Sequence, residues 1–514
     1  MLLALLLALT IDPVASESAV TATKTTSTEI VALTEAEAKA VEPIAAGVEA
    51  KETSDVVSGF SRTVTSDVAS GFSQTVTSDP QGVPLVLTNV FQKKQEPARA
   101  LRFVWREHPS VRDGRNLRLD FGLKVQEVSR DPGDGPSEPF PTWQLHRFRA
   151  SLDGELFRKV QFSVEREFAE TLLDDPTKKS TKSDWKDVFA EYEVSNGLQI
   201  RAGKFKVPFG LDQTAGETNL DFIYRSLGGD YLSMGRDIGG AVHGRFFKRG
   251  LNYWVGAFQH DGEHSRTSKI IQNQEITVGE AGVTGAGRVT AAVFRRFGPN
   301  ILKASELGGS YAQGNVSDEG FLPNGLRGRT VVSQNTYFER MFVKGPRRRI
   351  GTDYDWVYKT LGARAEYILV SDSRQQQGLN YEDLPSVRAK AWYVQGTWVV
   401  TTENKGRPTE PHKGGLGRGG YGALEVAVRF DKMGFDSEAG QDPPFRNTRA
   451  ETVFPNSDNV WTFGLTYWAN RWVKIQLNTI HESISDVERA PTPLDSETTK
   501  PKFWTTATLM QVEF

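Results

Sequence analysis

Between residues 117 and 126 one set of alternate positions holds Leu117, Leu119, Phe121, Leu123 and Val125, and the other holds Arg118, Asp120, Gly122, Lys124 and Gln126. Successive side chains of a β-strand point to opposite faces, so this segment has one greasy face and one charged face. The split recurs at Leu361, Ala363, Ala365, Tyr367 and Leu369 against Arg364 and Glu366. It recurs again at Leu424, Val426, Val428 and Phe430 against Glu425, Ala427, Arg429 and Asp431. From about residue 115 such segments run for roughly ten to fourteen residues, about twice a usual soluble strand and enough to cross a bilayer at a tilt. A wall with lipid on one side and water on the other needs this pattern.

The connections between segments alternate as well. Short turns such as Gly154-Glu155, Asn196-Gly197, Lys248-Arg249-Gly250 and Asn470-Arg471 separate long polar stretches at 129–141, 169–184, 208–236, 261–287, 433–457 and 483–502. That asymmetry is expected of an outer-membrane barrel, with short periplasmic turns and long extracellular loops. The expectation is an all-β chain: a transmembrane antiparallel β-barrel of about sixteen strands, an even number that leaves both termini in the periplasm. One connection breaks the rule, since residues 402–418 are long yet fall on the short-turn side. Trp143, Trp185, Trp461, Tyr467, Trp468 and Trp472 lie near strand ends and are candidates for interfacial girdles.

Composition agrees once the alternation is known. A mean hydropathy of -0.43 would suit a soluble protein, but alternating strands keep this average low. There is no cysteine, and a net charge of -2 argues against nucleic acid as a partner. Residues 1–16 read as a secretory signal: an apolar run too short to span a bilayer, ending in small residues, without the usual Lys or Arg after Met1. Residues 17–98 are rich in Ser, Thr, Ala and Val and contain a repeat, SDVVSGFSRTVT at 54–65 and SDVASGFSQTVT at 66–77. Two copies do not build a solenoid, so an irregular N-terminal extension is expected there and a barrel over 99–514. At the other end Trp504, Thr506, Thr508, Met510, Val512 and Phe514 occupy alternate positions. Such an ending suits a closing strand with a terminal aromatic.

Arg201 to Gly210 reads RAGKFKVPFG, after DVFAEYEV (187–194) and before FIYRS (222–226) and GRDIGGAVHG (235–244). With HRFRASLDGEL (146–156), TTEN (401–404) and GYGALEVAVRF (420–430), this succession resembles the phosphate-selective porin O and P family over about residues 115–514. The resemblance implies a trimer of sixteen-stranded barrels. In each, the loop after the fifth strand, here 208–236, folds into the lumen, and Arg and Lys ladders draw anions to a narrow waist. It also implies passage of small anions or other small hydrophilic solutes through a barrel seated in outer-membrane lipid.

Alternation alone turns Phe148, Ala150 and Leu152 to lipid and Arg147, Arg149, Ser151 and Asp153 to the lumen. Arg147 and Arg149 are the first candidates for pore-lining cations. Arg118 and Lys124 point inward by the same rule, as do His243 and Arg245 in the sixth strand. Lys204 and Lys206 precede the inward loop, and a bulge would decide which of them faces in. Acidic residues at Asp120, Glu165, Glu167, Asp187, Glu191, Glu193, Glu366 and Glu425 make the lining mixed, which weakens any phosphate specialisation. Arg347-Arg348-Arg349 is expected at the periplasmic rim, solvated, and the Gly-rich stretch 414–422 as a turn, since it lacks a P-loop spacing. No GxSxG or HExxH spacing accompanies the seven histidines, so a diffusion channel is favoured over a barrel-borne hydrolase or a non-conducting adhesive barrel. Neither cofactor nor metal is expected, and His243, His260 and His264 are read as exposed.

Overall fold

The alternating segments pair as an antiparallel sheet that closes on itself. The computed structural model describes residues 101–105, 108–114, 116–133, 142–169, 184–259, 261–262, 282–317, 323–488 and 500–514. The signal at 1–16, the extension at 17–98, His260 and His264 lie outside the described residues. The barrel strands are β1 Leu117–Asp131, β2 Trp143–Leu156, β3 Val160–Glu167, β4 Asp184–Ser195, β5 Leu198–Lys206, β6 Arg236–Phe246, β7 Leu251–Phe258 and β8 Thr284–Ala291. They continue as β9 Glu306–Val316, β10 Gly345–Tyr358, β11 Leu361–Arg374, β12 Leu384–Val399, β13 Ala423–Ser437, β14 Asn456–Trp468, β15 Val473–Ile484 and β16 Lys502–Glu513. Each pairs with the next, and β16 pairs with β1 from Thr506 opposite Asp131 to Glu513 opposite Lys124. Closure leaves no barrel edge to satisfy, which a lipid-facing sheet requires. Two short strands, Arg102–Trp105 and Pro109–Asp113, precede the barrel, and the second pairs with the start of β1.

The outer wall exposes Phe121, Tyr192, Ile200, Val255, Val394 and Phe463. The rings of Trp392, Phe430, Trp461, Phe463 and Trp504 follow one another across β12–β16 at centroid spacings of 5.2, 4.9, 6.4 and 6.3 Å. Trp143, Trp185 and Trp461 share this exposure, but Trp468 does not. It is buried with Val399 and Ala423, and the Lys474 ammonium lies 5.0 Å from its ring. The reason is parity, for Trp468 follows Thr462 and Thr466 on the inward face of β14.

The lumen is not simply polar. Inward residues of β11–β16, among them Ile368, Ala391, Met433, Val460, Ile480 and Phe503, form an apolar bed. Two segments from the long-loop end lie on it. The first, 207–235, follows β5 and buries Phe209, Leu227 and Leu232. The second, 323–344, follows β9 and buries Val331, Tyr337 and Phe338, with Phe338 stacked on Phe435 at 4.3 Å. At the short-turn end the connection 400–422 also turns inward, where Lys405 bridges Asp221 at 2.6 Å and Glu425 at 2.5 Å. This explains the long segment on that side. Its Gly-rich part holds a single short helical turn, His412–Gly414, with positive φ at Gly414, Gly415, Gly417, Gly419 and Gly422. A Cβ on Gly415 would lie 2.3 Å from the Ala469 carbonyl oxygen, so that position needs glycine.

Candidate functional site

A loop inside a barrel must satisfy its peptide groups without water. Here lumen-facing side chains do so. Glu366 accepts from the Leu211 and Asp212 amides at 2.7 and 3.0 Å, and Asp431 accepts from Leu227 at 2.6 Å. Asn478 accepts from Ile223 at 2.8 Å, Lys474 donates to Thr218 at 2.7 Å, and Arg429 donates to the carbonyls of Tyr224 and Arg225. The charged inward residues of β11–β15 are thus largely consumed in fixing the loop, which occupies their side of the lumen.

On the opposite wall the loop meets the basic pair of β2. Arg149 contacts Glu167 at 2.5 Å, Glu217 at 2.5 Å and Glu165 at 3.5 Å, while Arg147 contacts Glu217 at 3.0 Å and donates to Gln126 at 2.7 Å. Glu217 stands in the short turn Glu217–Asn219 of the inward loop. Burial pushes its carboxyl up, but Arg147, Arg149, Arg236 and Arg225 outweigh that and hold it well below the ordinary value. Lys124 pairs with Glu165 at 2.8 Å, and Arg236 grips Asp187 with two bonds of 3.1 and 2.8 Å. The bulge in this wall is at His146, where the register passes from Arg147 opposite Gln126 to Leu145 opposite Glu127.

The other candidates separate. Arg118 is at the short-turn rim, half exposed, paired with Asp120 at 2.6 Å. Arg245 is half-buried near the same end, opposite Asn252. Lys204 departs from the pore-lining expectation. It is buried and in register with Val188 and Ile238, while Arg201 and Phe205 take the inward positions of β5. Lys206, at the point where the chain leaves the strand, reaches the inward loop and donates to the carbonyls of Gln213 and Ala215 at 2.9 and 2.6 Å. His243 stacks on Trp254 at 3.5 Å with Nε2 2.8 Å from Glu191, buried and not exposed as expected.

Arg347 and Arg349 overturn the solvated-rim reading. They begin β10 at the long-loop end, fully buried. Arg347 binds Asp372 at 2.5 and 2.7 Å and Asp261 at 2.6 Å, and Arg349 binds Asp261 and the Leu232 carbonyl at 3.0 Å. Asp261 follows β7, outside the strands. Burial raises its carboxyl, and the two arginines bring it below its ordinary value.

Between β4, β5, β7, β8 and the inward loop remains a cavity of about 450 Å³. Its charged lining is Asp187, Arg201, Lys206 and Arg288, and its rings are Phe189, Phe205 and Trp254. Arg201 is held by Glu191 at 2.6 Å and Arg288 by Asp353 at 2.5 Å, both carboxylates being buried. Arg201 and Arg288 were open to the same period-two reading as Arg147: Thr284, Ala286, Arg288 and Thr290 alternate with Gly285, Gly287 and Val289. Glu217 had no such signal, because a loop has no periodicity. Among the described residues no group of three or more His, Cys, Asp or Glu is arranged to hold a metal ion.

Comparison with known proteins adds a family. A profile of the phosphate-selective porin O and P family matches residues 114–512. No curated protein matches the chain. Among solved structures, OmpF of Salmonella typhi in complex with daunomycin is similar at 9% identity and a TM-score of 0.49, over 79% of this chain and 100% of that one. The anion-selective porin of Comamonas acidovorans is similar at 11% identity and 0.45, over 77% and 100%. The trimer form of OmpT from Vibrio cholerae is similar at 11% and 0.46, over 78% and 100%. With its closed sixteen-stranded barrel and the profile match over most of its length, the chain belongs to the phosphate-selective porin O and P family, outer-membrane porins through which small solutes diffuse passively.

Proposed function

We propose that solutes pass on the β4–β8 side of the lumen and that this route favours anions weakly, with no turnover of the solute. The observation that carries the reading is Lys206. It lines the cavity, its ammonium is bonded to two neutral carbonyls, and no carboxylate pairs with it among the described residues. Arg201 and Arg288 add to it, since their carboxylate partners are buried behind them. Arg147 and Arg149 contribute little, because Glu165, Glu167 and Glu217 surround them. A cation in a confined, partly desolvated passage raises local anion concentration more than one on an open surface. The assembly proposed is a homotrimer, as family membership suggests, and the mass of the detergent-solubilised porin checks it.

The test is the reversal potential in a low-salt KCl gradient. The wild type is expected to favour chloride modestly, and Lys206→Gln to move the potential toward the cation side, with the difference shrinking in concentrated salt. An unchanged potential in Lys206→Gln at low salt would remove Lys206 from the selective path.

A further inference from the structure

Three aromatic rings stand in the cavity of a channel that must stay wet, and the charged groups around them are arranged with unusual economy. Glu191 Oε2 alone takes Arg201 Nε at 2.7 Å, Arg201 Nη2 at 2.6 Å and His243 Nε2 at 2.8 Å. This places the guanidinium over the ring of Phe189, its Cζ 4.0 Å from the centroid, with Trp254 at 4.9 Å and Phe205 at 5.5 Å. His243 backs the Trp254 ring with an interplanar angle of 8°. Trp254 is therefore fixed in orientation from behind, and Arg201 keeps N–H groups that Glu191 does not use. Lys206 lines the same cavity from the loop side.

From this geometry we infer that the cavity is a subsite for small planar aromatic carboxylates, whose anionic end meets Arg201 and Lys206 while the ring packs against Trp254. The inference rests on the β4–β8 route proposed above and names a solute class for it. A volume of about 450 Å³ accommodates one substituted ring with its hydration. Flat faces gain from offset stacking, and a guanidinium already parked on aromatic rings offers its edge to a carboxylate. A compact inorganic anion uses the cations and ignores the rings, so the rings, not the charges, carry the discrimination.

The experiment is block of the KCl current through the full-length porin in planar bilayers, with benzoate, cyclohexanecarboxylate and phosphate as probes. Benzoate is expected to half-block at a lower concentration than cyclohexanecarboxylate, which matches its size and charge but lacks a flat face. Trp254→Leu should raise the benzoate half-block concentration about two- to tenfold, the worth of one stacking contact, and Trp254→Phe should restore most of it. The residual KCl current of each variant reports that the barrel has inserted. Equal half-block by benzoate and cyclohexanecarboxylate, or a benzoate value unmoved in Trp254→Leu, would overturn the inference. The reversal potential in KCl without benzoate tests the anion preference separately, so the two readings fail on different measurements.

Discussion

Arg149 is 6% exposed and touches three carboxylates, two from β3 and one from the inward loop. Its removal leaves buried negative charge without its main partner, which costs about 3–5 kcal/mol when one member of a buried pair is deleted. Arg149→Ala is expected to lower the temperature at which the folded, fast-migrating form is lost on gels, and adding Glu217→Gln should recover part of that loss. The same pair separates two accounts of selectivity. If Arg149 were an anion site, both the single and double variants would favour cations relative to wild type. With Arg149 acting as a neutralising partner, the single variant shifts toward cations because Glu217 is unmasked, and the double variant returns toward wild type. The pH dependence has a definite sign. Glu217 is depressed from a usual value of 4.5, so its stabilising contribution is fully present above that value and is lost as pH falls through its lower folded value. Unfolding temperature measured between pH 8 and about 5 should be insensitive to Glu217→Gln substitution in its slope, with wild type declining toward the variant only below about pH 4.

At the scale of elements, the strands were legible and two of the connections at the long-loop end, those after β9 and β11, were not. Segment 323–344 is apolar enough, with Leu326, Val331, Val332, Tyr337, Phe338 and Met341, to read as wall rather than as a connection. Those residues are greasy because they lie on the apolar bed of the inner wall, where Val331 donates to Glu482 at 2.8 Å. Passing over this loop reverses the direction assigned to the strand that follows, which is why Arg347 and Arg349 were assigned to the wrong end and to solvent. Lys204 and Trp468 failed on parity: Lys204 alternates with the inward Arg201 and Phe205, and Trp468 shares the inward face of Thr462 and Thr466. Alternation gives Arg147, Arg149 and Lys124 one shared face, and Lys124 finds Glu165 of β3 there, but Glu217, the carboxylate that Arg147 and Arg149 share, was hidden in a loop with no period. Excision tests the loop's role. Replacing 323–343 by a short Gly-Ser turn should enlarge single-channel conductance and lower barrel stability together, because the segment both narrows the lumen and covers apolar wall. Unchanged conductance would place the permeation path wholly outside the segment's reach.

At the scale of the molecule, stability depends on one seam. β16 closes the sheet by pairing with β1. Phe514 completes that pairing in both directions, its carbonyl accepting from the Leu123 amide at 2.8 Å and its amide donating to the Leu123 carbonyl at 3.0 Å, while its ring rests 5.9 Å from Trp105. Val512 sits opposite Val125 and Val473 on the lipid side. An acidic residue there faces hydrocarbon or its boundary, at a cost that grows with depth, and an open seam leaves two rows of unpaired peptide groups. Two variants distinguish closure from recognition by the assembly apparatus of the cell. Val512→Asp with Phe514→Asp should fail to refold from urea into lipid vesicles, where no such apparatus is present, as read by loss of the fast-migrating band. Deletion of Phe514 alone removes one pair of terminal hydrogen bonds and one ring contact, so it should refold in vesicles with only a modest loss of yield. A larger defect of the deletion in cells than in vesicles would assign the terminal aromatic a role in being recognised, beyond its place in the seam. Normal vesicle refolding of the double-Asp variant would show that β16 is not the strand that closes the barrel.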